Sequence, residues 1–320
     1  PQQVEAEVIH IAVDELEHEE KDIKLSMASL ESAPMSHFSW CMMDDATLDR
    51  MEAAFQSEYK IKQAIGVGSF GSVWLAEESS SKLHQAVKRV SKRVLDESGL
   101  WEEVEVMRRM TDHPHVVKFE ATFENKEFIR LVTEYCAGGE LLSLVCEEEA
   151  LKEAAVARVA QQMFSAVKHL HSKGICHRDI KPENMLVAEK ANLENVTVKL
   201  IDFGHAKIFE GGLPMTTKIC TVNYVAPEVL KCNWEQPYSE KCDVWSLGVV
   251  IYMLLCGQPP FLDKSEMITL SRIKRGSFEF EPPELWSQVS EGAIAFIRKL
   301  LVSDPGERKS AEEALGDAWL

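Results

Sequence analysis

His177-Arg178-Asp179-Ile180-Lys181-Pro182-Glu183-Asn184 is the stretch on which the reading of this chain turns. It sets an acid, a lysine and an amide within six positions. In phosphoryl transfer, a carboxylate orients and deprotonates a hydroxyl, an ammonium neutralises charge on the moving phosphate, and an amide oxygen holds a metal ion. Taken alone, the octapeptide reads equally well as a polar surface loop, so its surroundings decide.

Asp202-Phe203-Gly204 begins 18 residues past Asn184, after an apolar run over 197–201. Ala226-Pro227-Glu228 follows, then Asp243-Val244-Trp245-Ser246-Leu247-Gly248 and Asp304-Pro305-Gly306-Glu307-Arg308. Upstream, Ile65-Gly66-Val67-Gly68-Ser69-Phe70-Gly71-Ser72-Val73 lies between two strand-like runs. Glycines at this spacing let backbone N–H groups approach phosphates. A lone G-x-G-x-x-G is a weak sign, and the dinucleotide fingerprint of that form opens a helix, whereas a strand follows here. Ala86-Val87-Lys88 ends 17 residues after Gly71, and Glu103 and Glu105 stand on the helix-like segment beyond. The set matches, in order and spacing, the glycine-rich loop, strand lysine, H-R-D-L-x-x-x-N, D-F-G and A-P-E motifs. From about residue 57 to 320 the chain therefore resembles a eukaryotic serine/threonine protein kinase. Lys181, two residues after Asp179, marks the serine/threonine rather than the tyrosine class. The flanks 135–141, 179–186, 224–230 and 257–261 are most similar to the calcium/calmodulin-dependent group, and within it to the calcium-dependent protein kinases of plants and protists.

The resemblance implies an α+β, two-lobed fold that binds ATP and Mg²⁺ between the lobes. Asp179 would orient the substrate hydroxyl and Lys181 would stabilise the transferring phosphoryl. Lys88 would grip the α- and β-phosphates while paired with Glu103; Glu105 is a rival by position. Asn184 and Asp202 would hold the metal ions. Ile65, Gly66, Val67, Gly68, Ser69, Phe70 and Gly71 would cover the nucleotide, with Val73 on the adenine and Ala86 and Leu186 among the nucleotide-binding positions. Backbone groups of Glu134 and Cys136 would hydrogen-bond adenine, and Thr133 would guard the rear of that pocket. Glu140 would reach the ribose or, with Glu183, line a peptide groove that favours arginine three positions before the target. Met253 stands where relatives that also demand arginine two positions before the target carry an acid. Thr217, or its neighbour Thr216, is a candidate activating phosphosite whose dianion would pair with Arg178 and Lys207. Glu228 would pair with Arg308, Asp243 would brace the catalytic-loop backbone, and Phe119, Met107, Phe203 and His177 would stack over Asp243. Three features depart from the family pattern. Cys220 replaces a glycine, Gly316-Asp317-Ala318-Trp319 lacks the usual His-Pro, and these 320 residues contain no D-x-[DN]-x-[DN]-G-x5-E calcium loop.

Composition agrees. Apolar residues make up 45% of the chain, enough for a substantial core, and of the net charge of −17 the first 50 residues carry −9. An acidic chain without a basic stripe argues against a nucleic-acid partner. Eight cysteines without a C-x-x-C pair read as reduced thiols, which favours a cytoplasmic or nuclear location. The acidic start does not resemble a secretory signal. The longest apolar run, 244–256, is too short to span a bilayer and reads as a buried helix.

The expected organisation is an acidic, partly disordered extension over 1–56, a small lobe over about 57–135 and a large lobe over about 140–320. A short helix is predicted over 45–55. Strands are predicted over 59–67, 71–77, 84–90, 116–124 and 128–135, with a helix over 95–110. Helices follow over 140–145, 151–173, 244–256, 264–275, 291–302 and 311–319. The expected activity is transfer of the ATP γ-phosphate to serine or threonine of protein substrates, with a calcium sensor admitted in cis or in trans. A pseudokinase scaffold is the alternative; it would lack Lys88, Asp179 or Asp202, and all three are present. A small-molecule kinase is weaker, because 221–228 resembles a peptide platform.

Overall fold

The structure, a computed structural model, describes residues 44–68, 71–92, 97–110, 113–147, 152–209, 215–218 and 221–320. The acidic segment 1–43 and the positions Ser69, Phe70 and Cys220 lie outside them. The chain divides into two compact units, one reaching Val104 and including Lys118–Tyr135, the other holding Glu105–Val117 and Cys136–Leu320.

In the first unit, helix α1 (Asp45–Glu58) opens on Asp44, whose carboxylate accepts from the Thr47 N–H at 2.8 Å. Strands β1 (Tyr59–Gly68), β2 (Gly71–Glu78) and β3 (His84–Ser91) precede helix α2 (Glu97–Arg109), which continues into the second unit; β4 (Phe119–Glu124) and β5 (Phe128–Glu134) complete an antiparallel sheet ordered β1-β2-β3-β5-β4. Side chains alternate between the faces of a strand, so register decides what shares a face. Trp74, Val87 and Val132 are register partners on one face and pack with Ala54, Phe55, Tyr59 and Phe123 into a buried cluster. The pairs Val73↔Lys88 and Ala86↔Thr133 place four of the expected nucleotide residues on the other face. Helix α1 thus covers the apolar face and lies on the side opposite Lys88. It is pinned there by Glu52, which takes both ends of the Arg130 guanidinium at 2.5 and 3.2 Å while that guanidinium lies 4.5 Å from the Phe55 ring centre. Part of the sequence expected to be extension therefore packs as part of the sheet unit. At Gly71 a Cβ would stand 1.9 Å from the Arg89 carbonyl oxygen, so only glycine allows β2 this close to β3.

The second unit is mainly helical. Its elements are β6 (Gly139–Glu140), α3 (Leu141–Glu147), α4 (Glu153–Ser172), β7 (Ile175–Cys176), β8 (Met185–Val187), β9 (Val198–Leu200), β10 (Lys207–Ile208), α5 (Pro227–Lys231), α6 (Lys241–Cys256), α7 (Glu266–Arg275), α8 (Pro283–Trp286), α9 (Glu291–Leu300) and α10 (Ala311–Leu315). Helix α6 is buried all round from Cys242 to Leu254. At Gly248 a Cβ would stand 2.9 Å from the Leu300 Cβ, which is how α9 comes close to it. No helix among the described residues is long and apolar enough to cross a membrane.

Two predicted elements are shorter than expected. The strand expected over 116–124 begins at Phe119, because Val116 and Val117 turn to Leu200: Val117 N–H donates to its carbonyl at 3.0 Å. The helix expected over 311–319 stops at Leu315. Asp317 is captured by Lys299 and Lys309 at 2.8 and 3.1 Å, and Trp319 leaves the helical path to pack 5.1 Å from Phe296 and donate to Glu153 at 2.8 Å.

The Glu228–Arg308 pair expected from the sequence is a two-pronged bridge, at 2.6 and 2.8 Å. The buried guanidinium also donates to the carbonyls of Val302 at 3.0 Å and Lys241 at 2.8 Å. Removing the acid would strand a buried cation. Glu228→Ala is expected to lower unfolding stability by about 3–5 kcal/mol, read as a shift in denaturant midpoint.

Candidate active site

The octapeptide 177–184 follows β7 and runs into β8, and its backbone conformation is imposed from behind. The Asp243 carboxylate, on the first turn of α6, accepts from the N–H groups of His177 at 2.8 Å and Arg178 at 2.9 Å and faces His171 Nε2 at 3.0 Å. Arg178 takes a left-handed φ of 66°, uncommon for a non-glycine residue, and these bonds hold it there. Burial alone would raise the Asp243 pKa; the bonds from His171 and His177 win and hold the carboxyl below its ordinary value.

Asp179 is buried and gripped on both oxygens. Thr221 Oγ1 donates to Oδ1 at 2.8 Å, while Asn184 Nδ2 and Lys181 Nζ approach Oδ2 at 3.0 and 2.7 Å. Burial pushes the acid up, but the contacts with Lys181 and Thr221 bring it down, so it is ionised at neutral pH. Because the folded pKa values of Asp179 and Asp243 are depressed, their stabilising contribution is present above the ordinary carboxylate range and is lost as pH falls through the lower folded values.

Asn184 also gives Nδ2 to the Asp179 carbonyl at 2.7 Å, which commits its nitrogen and leaves its oxygen for a cation. Asp202, with φ 59°, adds a carboxylate at the turn before Phe203, whose ring lies 5.1 Å from that of His177. An amide oxygen and a carboxylate are hard ligands of the type that Mg²⁺ takes. In the first unit, Lys88 Nζ stands 2.8 Å from Glu103 Oε1 in a largely buried pair, whereas Glu105 is exposed and pairs with Arg109 at 2.8 Å on the same helix. Gly66 has nothing within 4 Å of where a Cβ would stand, an open approach of the kind a phosphate requires, and Gly68 pairs with Gly71 across the hairpin. Ile65 and Val67 are exposed. Glu134 is the last residue of β5, after Thr133, and Cys136, two residues on, is buried. Glu140 is the register partner of Leu186, and Glu140 and Glu183 are both exposed. Thr217 is exposed, while Thr216 is half-buried and its carbonyl accepts from Cys232.

Three participants escaped sequence reasoning. Thr221 closes on Asp179 from 42 residues away, His171 faces Asp243, and Tyr238 meets Arg178, Nη1 to Oη at 3.3 Å. Thr221 had a local signal, since it follows the position where the family carries glycine; the other two had none.

A gripped carboxylate beside a lysine in one unit and a buried lysine–glutamate pair in the other are the groups that a phosphotransferase of the protein-kinase class employs. A family model described as Protein kinase domain matches residues 59–320. The chain belongs to the protein kinase family. It is 38% identical to a calcium/calmodulin-dependent protein kinase type 1 of Macrobrachium nipponense over 83% of this chain and 76% of that one. It is 40% identical to the human calcium/calmodulin-dependent protein kinase type 1B over 82% of this chain and 75% of that protein. It is also 40% identical to calcium-dependent protein kinase 3 of Plasmodium berghei over 81% of this chain, which spans only 46% of that longer relative.

Lys181→Met is expected to move the Asp179 titration upward, because the largest lowering contact goes while burial stays. Carboxyl carbon NMR of aspartate-labelled protein reads the shift; an unmoved resonance would show that Lys181 does not set this charge.

Proposed function

We propose that this chain transfers the γ-phosphate of ATP to serine and threonine hydroxyls of protein substrates, with preference for arginine three positions before the target. The observation that carries the reading is the Asp179 carboxylate, ionised and fixed by Thr221, Asn184 and Lys181 at 2.8, 3.0 and 2.7 Å. Asp179 accepts the hydroxyl proton as the substrate oxygen bonds to the γ-phosphorus and the bond to the β-phosphate oxygen breaks, releasing ADP. Lys181 offsets charge on the moving phosphoryl. Lys88, steadied by Glu103, holds the α- and β-phosphates. Mg²⁺, when bound, neutralises phosphate charge; Asn184 and Asp202 would hold it.

The substrate preference is supported by Glu140 and Glu183, exposed carboxylates whose planar oxygens suit a guanidinium better than an ammonium. Met253, buried and accepting from the Tyr224 hydroxyl at 3.5 Å, offers no charge for a second arginine. Both groups of relatives carry calcium in their names, and calcium control here would act through a sensor other than a loop of the form D-x-[DN]-x-[DN]-G-x5-E in these residues. Peptide assays with and without calcium and calmodulin address it.

Two outcomes are expected. Asp179→Asn should keep near-normal nucleotide affinity and lose roughly 10²–10⁴-fold in turnover; full turnover would sink the reading. A peptide with arginine three positions before its serine should exceed its alanine counterpart by one to two decades in kcat/KM, the equivalent of about 1.5–3 kcal/mol for a charge-assisted contact. Glu183→Gln should narrow that ratio, and equal wild-type rates on the two peptides would exclude the preference.

A further inference from the structure

Arg178, beside the catalytic aspartate, is the residue expected from the sequence to await a phosphate on Thr217. In the structure it is already seated. Its Nε donates to the carbonyl of His205, just past Asp202-Phe203-Gly204, at 2.6 Å. Its Nη1 meets the Tyr238 hydroxyl at 3.3 Å. That hydroxyl donates onward to the Thr217 carbonyl at 3.0 Å, and the Tyr238 backbone N–H donates to the Met215 carbonyl at 3.0 Å. One buried tyrosine, 6% exposed, thus ties together the metal-binding turn, the catalytic loop and the segment 215–218.

We propose that Tyr238 is a positioning residue: its hydroxyl seats Arg178 and fixes the segment 215–218, so that the site is assembled without a phosphate on that segment. The chemistry is self-consistent. An arginine donates only, so a group that seats it must accept; a tyrosine hydroxyl can accept from Arg178 and still donate to a carbonyl. Burial pushes the phenol up to about 12, against the opposing pull of Arg178, so it keeps the proton that the Thr217 carbonyl needs. The fold uses the Thr217 carbonyl and leaves its side chain exposed, so ordering of this segment does not consume the hydroxyl that a phosphate would modify. This inference rests on the phosphotransfer reading above and specifies how that site is switched on.

The test uses the whole chain after phosphatase treatment, with the arginine-bearing peptide and labelled ATP. Wild type should keep its rate within about twofold of untreated protein. Tyr238→Phe, which removes one oxygen, should lose about tenfold or more in peptide kcat/KM with the ATP KM nearly unchanged, as expected for loss of a hydrogen bond to a charged group. On an Arg178→Ala background the same change should add little, because the donor to the hydroxyl is already gone; a general loss of packing would add to it. The proposal is overturned if Tyr238→Phe matches wild type, if the two substitutions add in full, or if phosphatase alone brings wild type down. Should Tyr238→Phe not fold, the phosphatase arm on wild type still decides. A wild-type enzyme that phosphorylates no peptide, treated or untreated, would instead overturn the phosphotransfer reading itself.

Discussion

The constraint on which the rest of the site depends is a buried negative charge behind the catalytic loop. Asp243 is held in α6, a helix buried on every side, so its carboxylate can move little. A buried carboxylate without partners is costly, and this one is satisfied by two backbone N–H groups and an imidazole. The same bonds hold Arg178 in the left-handed conformation that sends the chain into Asp179. Strain in the loop is thus offset by the desolvated charge beneath it, and the two are stable only together.

The first unit solves a different problem. A lysine proposed to hold phosphates has to be presented by a defined surface, and the five-stranded sheet supplies one. Its apolar face is closed by Ala54, Phe55 and Tyr59, and its other face is left to Val73, Ala86, Lys88 and Thr133. Glu103, on α2, keeps Lys88 extended with a contact at 2.8 Å. Helix α1, fastened through Glu52 and Arg130, covers the sheet face opposite Lys88.

Much of this was legible because the chemistry requires particular residue types at particular spacings. The loop 177–184, the turn 202–204 and the glycine-rich hairpin are local patterns, and local patterns survive in sequence. Glu103 against Glu105 was ambiguous by composition; helical geometry separates them, since one turn along α2 Glu105 meets Arg109 instead. Glu228 and Arg308, 80 residues apart, were paired through the resemblance, not through anything local. What stayed hidden was contact made by folding alone. Tyr238 lies 60 residues from Arg178 and reads as an ordinary aromatic before a helix. The end of α10 was misjudged because Asp317 and Trp319 find tertiary partners stronger than one more helical turn. The packing of α1 was unreadable for the same reason: amphipathic spacing shows that a face exists, not what it covers.

The central claim is that the Asp243 carboxylate, by holding the N–H groups of His177 and Arg178, sets Asp179 for phosphoryl transfer. Single-turnover kinetics of Asp243→Asn test it most directly, since asparagine keeps the shape but turns an amide donor toward groups that themselves donate. A misplaced catalytic group costs on the order of 10²-fold. The account predicts a loss of about that size in the chemical step, with the chain still folded by circular dichroism and nucleotide affinity near wild type. A folded Asp243→Asn enzyme with a wild-type chemical step would contradict it.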